Sequence, residues 1–172
     1  MSVTTGPDSQ KDLAFTALVQ RHQTGLRRMC YAMLRDAEQA KDAVQETFVK
    51  AYRAMDDWRG ACSEKTWLTR IAVNTCRDMR RSAWFRRIDR RVTLEDLPVA
   101  AGSADQESRE LTIAILALPE KLREVTLLYY YQDMTLRETG EALGLSPSAV
   151  KKRLVRARDR LRDALEGRQT HE

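Results

Sequence analysis

Residues 135–165 read TLRETGEALGLSPSAVKKRLVRARDRLRDAL, and their order of caps, stops and cations decides the architecture around them. Thr135 is placed to N-cap a short helix, because Glu138 lies three residues on and can return a hydrogen bond to the cap's own backbone N–H. Gly144 is placed to stop that helix, since glycine enters the left-handed region without steric cost. Ser146 then caps a second helix, and Pro147 takes its first position, where the missing N–H would have no partner in any case. Along that helix Val150, Leu154, Ala157, Leu161 and Leu165 recur at helical spacing and form one apolar face. Between positions 151 and 162 the other faces carry Lys151, Lys152, Arg153, Arg156, Arg158, Arg160 and Arg162 against one acid, Asp159.

A short helix, a tight turn and a longer basic helix is the sequence form of a helix-turn-helix, whose second helix enters the major groove of DNA. The alternative is a solvated basic helix in a bundle, which is what charge runs usually mean. Two features favour DNA. Gly140 stands where the two helices would approach closely. The cations also begin at the N-terminal end of the second helix, where the macrodipole disfavours positive charge unless an outside anion is present. A phosphate backbone is such an anion.

The 172 residues allow one domain or two small ones. With 32% charged and 6% aromatic residues, small helical bundles fit better than one large core, and the net charge of +5 favours a polyanionic partner. Cys30, Cys62 and Cys76 are scattered, form no CxxC pair, and have neither His22 nor His171 at zinc-finger spacing. They read as reduced thiols of a cytosolic protein. The start, MSVTTGPDSQ, lacks a basic n-region and an apolar h-region, and no run reaches membrane-spanning length. A cytoplasmic protein with no membrane insertion is expected.

Upstream, Leu13, Leu18, Leu26, Met29 and Met33 mark an amphipathic helix or helix pair, broken or bent near Gly25. Asp36 is placed to cap a long helix whose buried stripe is Ala40, Ala43, Val44, Thr47, Phe48, Ala51 and Met55. Its other face carries Glu38, Asp42, Gln45 and Glu46, which serves either solubility or docking of a positively charged partner. A small, polar loop follows Trp58 and runs to Glu64. Thr66 is placed to cap the next helix, TWLTRIAVNTCRDMRR, with Trp67, Leu68, Ile71, Ala72 and Thr75 inward. From Arg70 to Arg91 eight arginines meet two acids, with Trp84 and Phe85 among them. Basic residues interleaved with aromatics suit a single strand, and core packing is the other use of those rings. LEDLPVAAGSADQES, within residues 92–109, reads as an acidic linker. Beyond it Leu111, Ile115, Leu116 and Leu118 begin a second domain. There Pro119 opens a helix, PEKLREVTLLYYYQDM, whose Tyr129, Tyr130 and Tyr131 are expected in the core.

Three segments in this order, DAEQAKDAVQETFVKAYRAMDDWRG, TWLTRIAVNTCRDMRR and LPEKLREVTLLYYYQDMTLRETGEALGLSPSAVKKRLVRARDRL, resemble bacterial extracytoplasmic-function sigma factors. These are the smallest promoter-recognition subunits of RNA polymerase. The resemblance spans roughly residues 10–165 and implies an all-α protein of two small helical domains joined by a flexible acidic linker, residues 8–91, 92–109 and 110–168. It implies that Asp36, Glu38, Asp42, Gln45 and Glu46 dock on core RNA polymerase. Trp58, Gly60, Ala61, Cys62, Ser63, Glu64, Arg70, Asn74 and Arg77 would open and read the start-proximal (minus-ten) element, capturing a base flipped from the strand. Ser148, Lys151, Lys152, Val155 and Arg156 would face base edges of the upstream (minus-thirty-five) element, with Arg153 holding phosphate or the bundle surface. The linker would thread near the polymerase active site, and an anti-sigma factor would clamp both domains. Three positions depart from the family's pattern: Thr139 for a larger aliphatic, Glu64 for a frequent aromatic, and Trp58 for the more usual Phe.

No paired carboxylates, nucleophile with base, metal cluster or phosphate-cradling glycine loop stands out in the sequence, so neither catalysis nor a cofactor is expected. The competing function is a conventional helix-turn-helix transcriptional regulator. That protein would bind DNA alone and gain nothing from core polymerase.

Overall fold

In the computed structural model, which describes residues 6–82 and 106–169, every regular element among those residues is helical. Pro7 opens α1 (Pro7–Leu34), which runs unbroken through Gly25. The break expected near Gly25 is absent. A lone glycine costs a helix about 1 kcal/mol, less than the burial of Leu18, Leu26, Met29 and Met33 on either side of it supplies. Leu13, by contrast, is exposed and takes no part in that stripe.

Arg35 ends α1 in the left-handed conformation (φ 57°), its N–H donating to the Tyr31 carbonyl. The chain therefore turns at once into the Asp36 cap, whose carboxylate accepts from the Gln39 N–H at 2.8 Å and starts α2 (Ala37–Ala54). Of the stripe read from the sequence, Ala40, Ala43, Val44, Thr47 and Ala51 are buried, while Phe48 and Met55 are half-buried. For α3 (Glu64–Arg81) the cap is Ser63 rather than Thr66, its Oγ accepting from the Thr66 N–H at 3.1 Å. Both are cap-forming residues, and the difference lies in burial: Thr66 and Leu68 are both buried, so the helix must already be running there.

The second half contains α4 (Gln106–Leu116), α5 (Glu120–Thr126), α6 (Leu136–Leu143) and α7 (Pro147–Gln169). Helix α4 begins inside the stretch read as linker. The rest of that linker, with Trp84 and Phe85, lies outside the described residues. The helix expected from Pro119 changes character midway, because Leu127–Tyr131 forms a π-helical turn closed by the Gln132 N–H on the Leu127 carbonyl at 3.1 Å. The wider turn shifts the positions after it. Leu127 and Leu128 stay buried while Tyr130 and Tyr131 are 47% and 51% exposed, so those two tyrosines are not in the core.

The helix-turn-helix forms as its caps require. Thr135 and Glu138 make the reciprocal capping box, Gly144 sits at φ 68°, and Ser146 Oγ accepts from the Ala149 N–H at 3.1 Å. Gly140 is where the two helices meet. Its carbonyl accepts from the Leu145 N–H at 2.8 Å, and a Cβ there would collide with the Leu145 carbonyl oxygen.

One apolar core runs through both halves, joining Leu18, Met29, Leu68 and Val73 to Ile115, Val125, Leu128, Leu143 and Val150. Arg123 rivets the junction. Its guanidinium donates to the carbonyls of Leu116 (3.2 Å), Leu118 (2.9 Å) and, from α1, Met33 (3.5 Å). Burial, with Arg35 and Arg80 nearby, pushes its pKa down to about 10, so the group stays charged at neutral pH.

Candidate nucleic-acid interfaces

The first basic surface is built on α7. Val150, Leu154 and Ala157 are buried, and that inward register turns Ser148, Lys151, Lys152, Val155 and Arg156 out to solvent. Val155 is an apolar residue 41% exposed in the middle of this cationic strip, the arrangement that a thymine methyl or a sugar face can use. Arg153 stands apart from the others. It is half-buried and lines an open cleft of about 380 Å³ where α3, α5 and α7 meet, together with Arg77, Arg80, Arg81 and Lys121 and the acids Glu120 and Glu124.

The second surface is α3 with the loop before it. Trp58 is half-buried and stacks on Trp67, ring centroids 5.0 Å apart and planes at 13°. The loop then turns at Gly60 (φ 71°), leaves Gly60, Ala61 and Ser63 exposed, and half-buries Cys62. Glu64 lies in the first turn of α3 rather than in the loop, and α1 holds it: Arg21 Nη2 and His22 Nε2 each stand 3.0 Å from its carboxylate. The His22 hydrogen bond and then Arg21 keep its pKa below the ordinary carboxylate value. Asn74 is exposed on α3.

The arginines predicted for this surface are engaged by the second half of the chain. Arg70 Nη2 donates to Glu141 Oε2 at 2.7 Å. Arg77 spans both oxygens of Glu124 (3.3 and 3.1 Å) and reaches the Leu143 carbonyl at 3.2 Å. Arg80 bonds Glu124 as well and meets Glu120 at 2.7 Å, while Lys65 stands 3.4 Å from Asp133. The Glu124 carboxylate is 3% exposed. Burial alone would raise its pKa, but hydrogen bonds and charge from Arg77 and Arg80 outweigh that and hold it below the ordinary value. Sequence reading missed Arg80, Glu120, Glu124 and Glu141 in this role. One signal was available: Glu124 sits among Leu122, Val125 and Leu128, and an acid in an apolar stripe requires a cation to meet it.

The acidic face of α2 is open. Glu38, Asp42, Gln45 and Glu46 are all exposed, Asp36 caps the helix beneath them, and Glu46 makes an i,i+4 pair with Lys50 at 3.8 Å. Among the described residues no group of His, Cys, Asp or Glu is disposed to hold a metal ion, and no helix is long and apolar enough to cross a membrane. The three cysteines are free thiols, with Cys30 and Cys76 buried.

Comparison with known proteins agrees over both halves. Residues 18–86 match the family described as Sigma-70 region 2, and residues 108–161 match that described as Sigma-70, region 4. The RNA polymerase sigma-H factor of Pseudomonas aeruginosa is 31% identical over 89% of this chain and 86% of its own length. The ECF RNA polymerase sigma factor SigW of Bacillus subtilis is 32% identical over 88% and 89%. Among solved structures, CnrH in complex with the cytosolic domain of CnrY aligns with a TM-score of 0.66 at 31% identity, covering 91% of this chain and 90% of CnrH. The sigma factor RpoE of Bartonella quintana, bound to the anti-sigma factor NepR, shares the fold with a TM-score of 0.72 at 23% identity, over 89% and 97% of the two chains.

Proposed function

The chain belongs to the sigma-70 family, in its extracytoplasmic-function branch, and on that footing we propose how its charged faces divide the work of starting transcription. As a sigma factor it directs RNA polymerase to promoters. Helix α7 reads the upstream element as duplex, through Ser148, Lys151, Lys152, Val155 and Arg156, with lysine or arginine paired to guanine edges. Trp58, residues 60–64, Arg70, Asn74 and Arg77 engage the start-proximal element after strand opening. The stacked indoles offer a rigid aromatic wall, and the Asn74 amide offers both donors and an acceptor to a flipped base. Glu38, Asp42, Gln45 and Glu46 dock on a basic surface of core polymerase. The first domain is placed at residues 8–91 and the second ends at residue 168; its first helix, α4, begins at Gln106, inside the stretch read as an acidic linker over residues 92–109.

The carrying observation is the register of α7, which buries Val150, Leu154 and Ala157 and so presents Lys151, Lys152, Val155 and Arg156 as one exposed strip. Control by an anti-sigma protein is part of the proposal, supported by the likeness to CnrH, whose structure was solved with CnrY. The chain acts by binding, with no catalytic step of its own, in the cytoplasm where polymerase works.

The test is to mix the purified chain with core polymerase and to look for a stable complex and initiation at a cognate promoter. A chain that binds duplex DNA tightly alone and gains nothing from core enzyme is instead a conventional regulator. Asn74→Ala should slow strand opening and be rescued by a pre-melted template. If the pre-melted template gives no rescue, Asn74 is not the base-capture residue.

A further inference from the structure

Glu64 stands at the end of the loop assigned to base capture, and its carboxylate is turned to α1. Arg21 Nη2 donates to both of its oxygens at 3.0 Å, and His22 Nε2 stands 3.0 Å from Oε2. A carboxylate that reads a base edge needs those same oxygens free, to accept from an amino group such as that of cytosine. An acid left bare on such a surface would also repel phosphate, and here a cation meets it. We infer that Glu64 reads no base itself: with Arg21 and His22 it forms a clamp that fixes the capture loop to α1, which makes Arg21 and His22 positioning residues for the start-proximal element.

The inference deepens the proposed role of the loop and rests on it, and three observations support it. The clamp sits where hold is needed. Residues 60–63 are all small, and nothing stands within 4 Å of a Cβ placed on Gly60, so the loop's own packing gives little purchase there. A base-binding constellation works only if its parts are held to about 0.5 Å of their productive places. The clamp also adds what the neighbouring contacts do not. Trp58 stacks on Trp67, and Ser63 Oγ accepts from the Thr66 N–H, so both of those contacts join the loop to α3, whereas Glu64 ties it to a second helix. Finally the clamp is sheltered. The side chains of His22 and Glu64 are 19% and 34% exposed, and the His22 hydrogen bond, with Arg21, holds the Glu64 carboxyl below its ordinary pKa, so it is ionised at neutral pH.

The experiment uses the full chain with two variants that open the clamp from opposite sides. Glu64→Ala removes a negative charge, while Arg21→Ala with His22→Ala removes a positive one. An effect of net charge must therefore run in opposite directions in the two, and an effect of anchoring must run the same way. The hold on the loop is read at Cys62, which is half-buried within it, from the rate of alkylation by iodoacetamide followed by peptide mass spectrometry. Cys30 and Cys76 are buried and serve as internal references. Base selectivity is read with the chain bound to core polymerase, on the promoter fragment of the initiation test with its start-proximal bases randomised, by sequencing the bound and unbound pools.

Both variants should alkylate Cys62 roughly fivefold faster, the factor that a partly exposed ion-pair network supports. Both should lose start-proximal base selectivity by a similar factor, with core binding and upstream-element selectivity level. Arg21→Lys with His22 kept leaves a cation within reach of Glu64 and should restore most of both. Arg137→Gln removes a cation from an exposed pair in α6 and should change neither. If the double variant fails to fold, Arg21→Ala alone, at a side chain 53% exposed, carries that arm.

Unchanged alkylation in both variants overturns the clamp and leaves the loop's strand-reading assignment standing. Faster alkylation with full base selectivity overturns that assignment itself. Opposite shifts in the two variants reduce the effect to net charge, and a loss of selectivity in Glu64→Ala alone makes Glu64 a direct reader; either result overturns the inference. So does a parallel loss of core binding, which makes the contact a general support of the fold.

Discussion

Gly140→Ala sets helix propensity against geometry at the turn on which the upstream reader depends. Propensity alone favours alanine by about 1 kcal/mol. The structure opposes it. A Cβ at this position would press into the Leu145 carbonyl oxygen, with the Leu145 carbonyl carbon at 3.4 Å and the Pro147 nitrogen at 3.6 Å behind it. All three are backbone atoms and cannot rotate away. Relief requires Leu145 to move, which strains the 2.8 Å bond from its N–H to the Gly140 carbonyl, a loss of about 1 kcal/mol. Overpacking adds about 1–3 kcal/mol. Set against the propensity gain, the net loss is about 1–3 kcal/mol, or roughly 2–12 °C in Tm for a chain of this size. Gly25→Ala is the internal control: it is also within a helix, nothing stands within 4 Å of the added Cβ, and it should gain about 0.5–1 kcal/mol. Thermal and urea melts followed by circular dichroism measure both. The reasoning fails if Gly140→Ala proves as stable as Gly25→Ala, because the turn would then have room that the geometry denies.

Asp42→Arg reverses one charge on the exposed face of α2, and it should weaken core-polymerase binding with little change in the melting curve; unchanged affinity removes that face from the docking surface. Lys152→Ala and Arg156→Ala should each cost roughly 1–3 kcal/mol of discrimination at the upstream element, read by competition between cognate and mutated duplexes in the presence of core enzyme. If core binding falls instead, those side chains hold the fold. The contact around Glu124 also has a pH signature. A carboxylate whose folded pKa lies below its ordinary 4.5 contributes stability that is complete above that value and is lost as pH falls through the lowered one. Scattering should show a closed chain from neutrality to about pH 5 and expansion only in stronger acid. Glu64 and Glu138 are lowered as well, so the part of the transition missing in Glu124→Gln is the part that Glu124 carries. Expansion near neutral pH would contradict this.

The features legible in the sequence were those whose partners lie within four residues. The Asp36 cap, the Thr135–Glu138 box, the Gly144 stop and the Ser146–Pro147 start are each closed by atoms one helical turn away. Where two local signals competed, burial chose between them, as with Ser63 over Thr66. Gly25 misled because propensity is a small term beside the burial of the residues around it. The π-helical turn at Leu127–Tyr131 carried no local mark, and it moved Tyr130 and Tyr131 outward. The acid at Glu124 signalled that some cation must meet it, but that Arg70 and Arg77 are among the engaged residues was out of reach for another reason. Their partners lie 71 and 47 residues away, and no periodicity along one helix reports what a distant helix brings to it.

The apolar mass shared by the two halves has a cost that falls on whatever separates them. Leu68 and Val73 belong to the same interior as Leu128, Leu143 and Val150, so parting the halves wets a greasy seam on both sides. Such a seam is stable in water only if something else dries it. A protein that takes the two halves apart must therefore bring hydrocarbon to the encounter as well as opposite charge, and a fragment of either half expressed alone is left with a bare side prone to self-association.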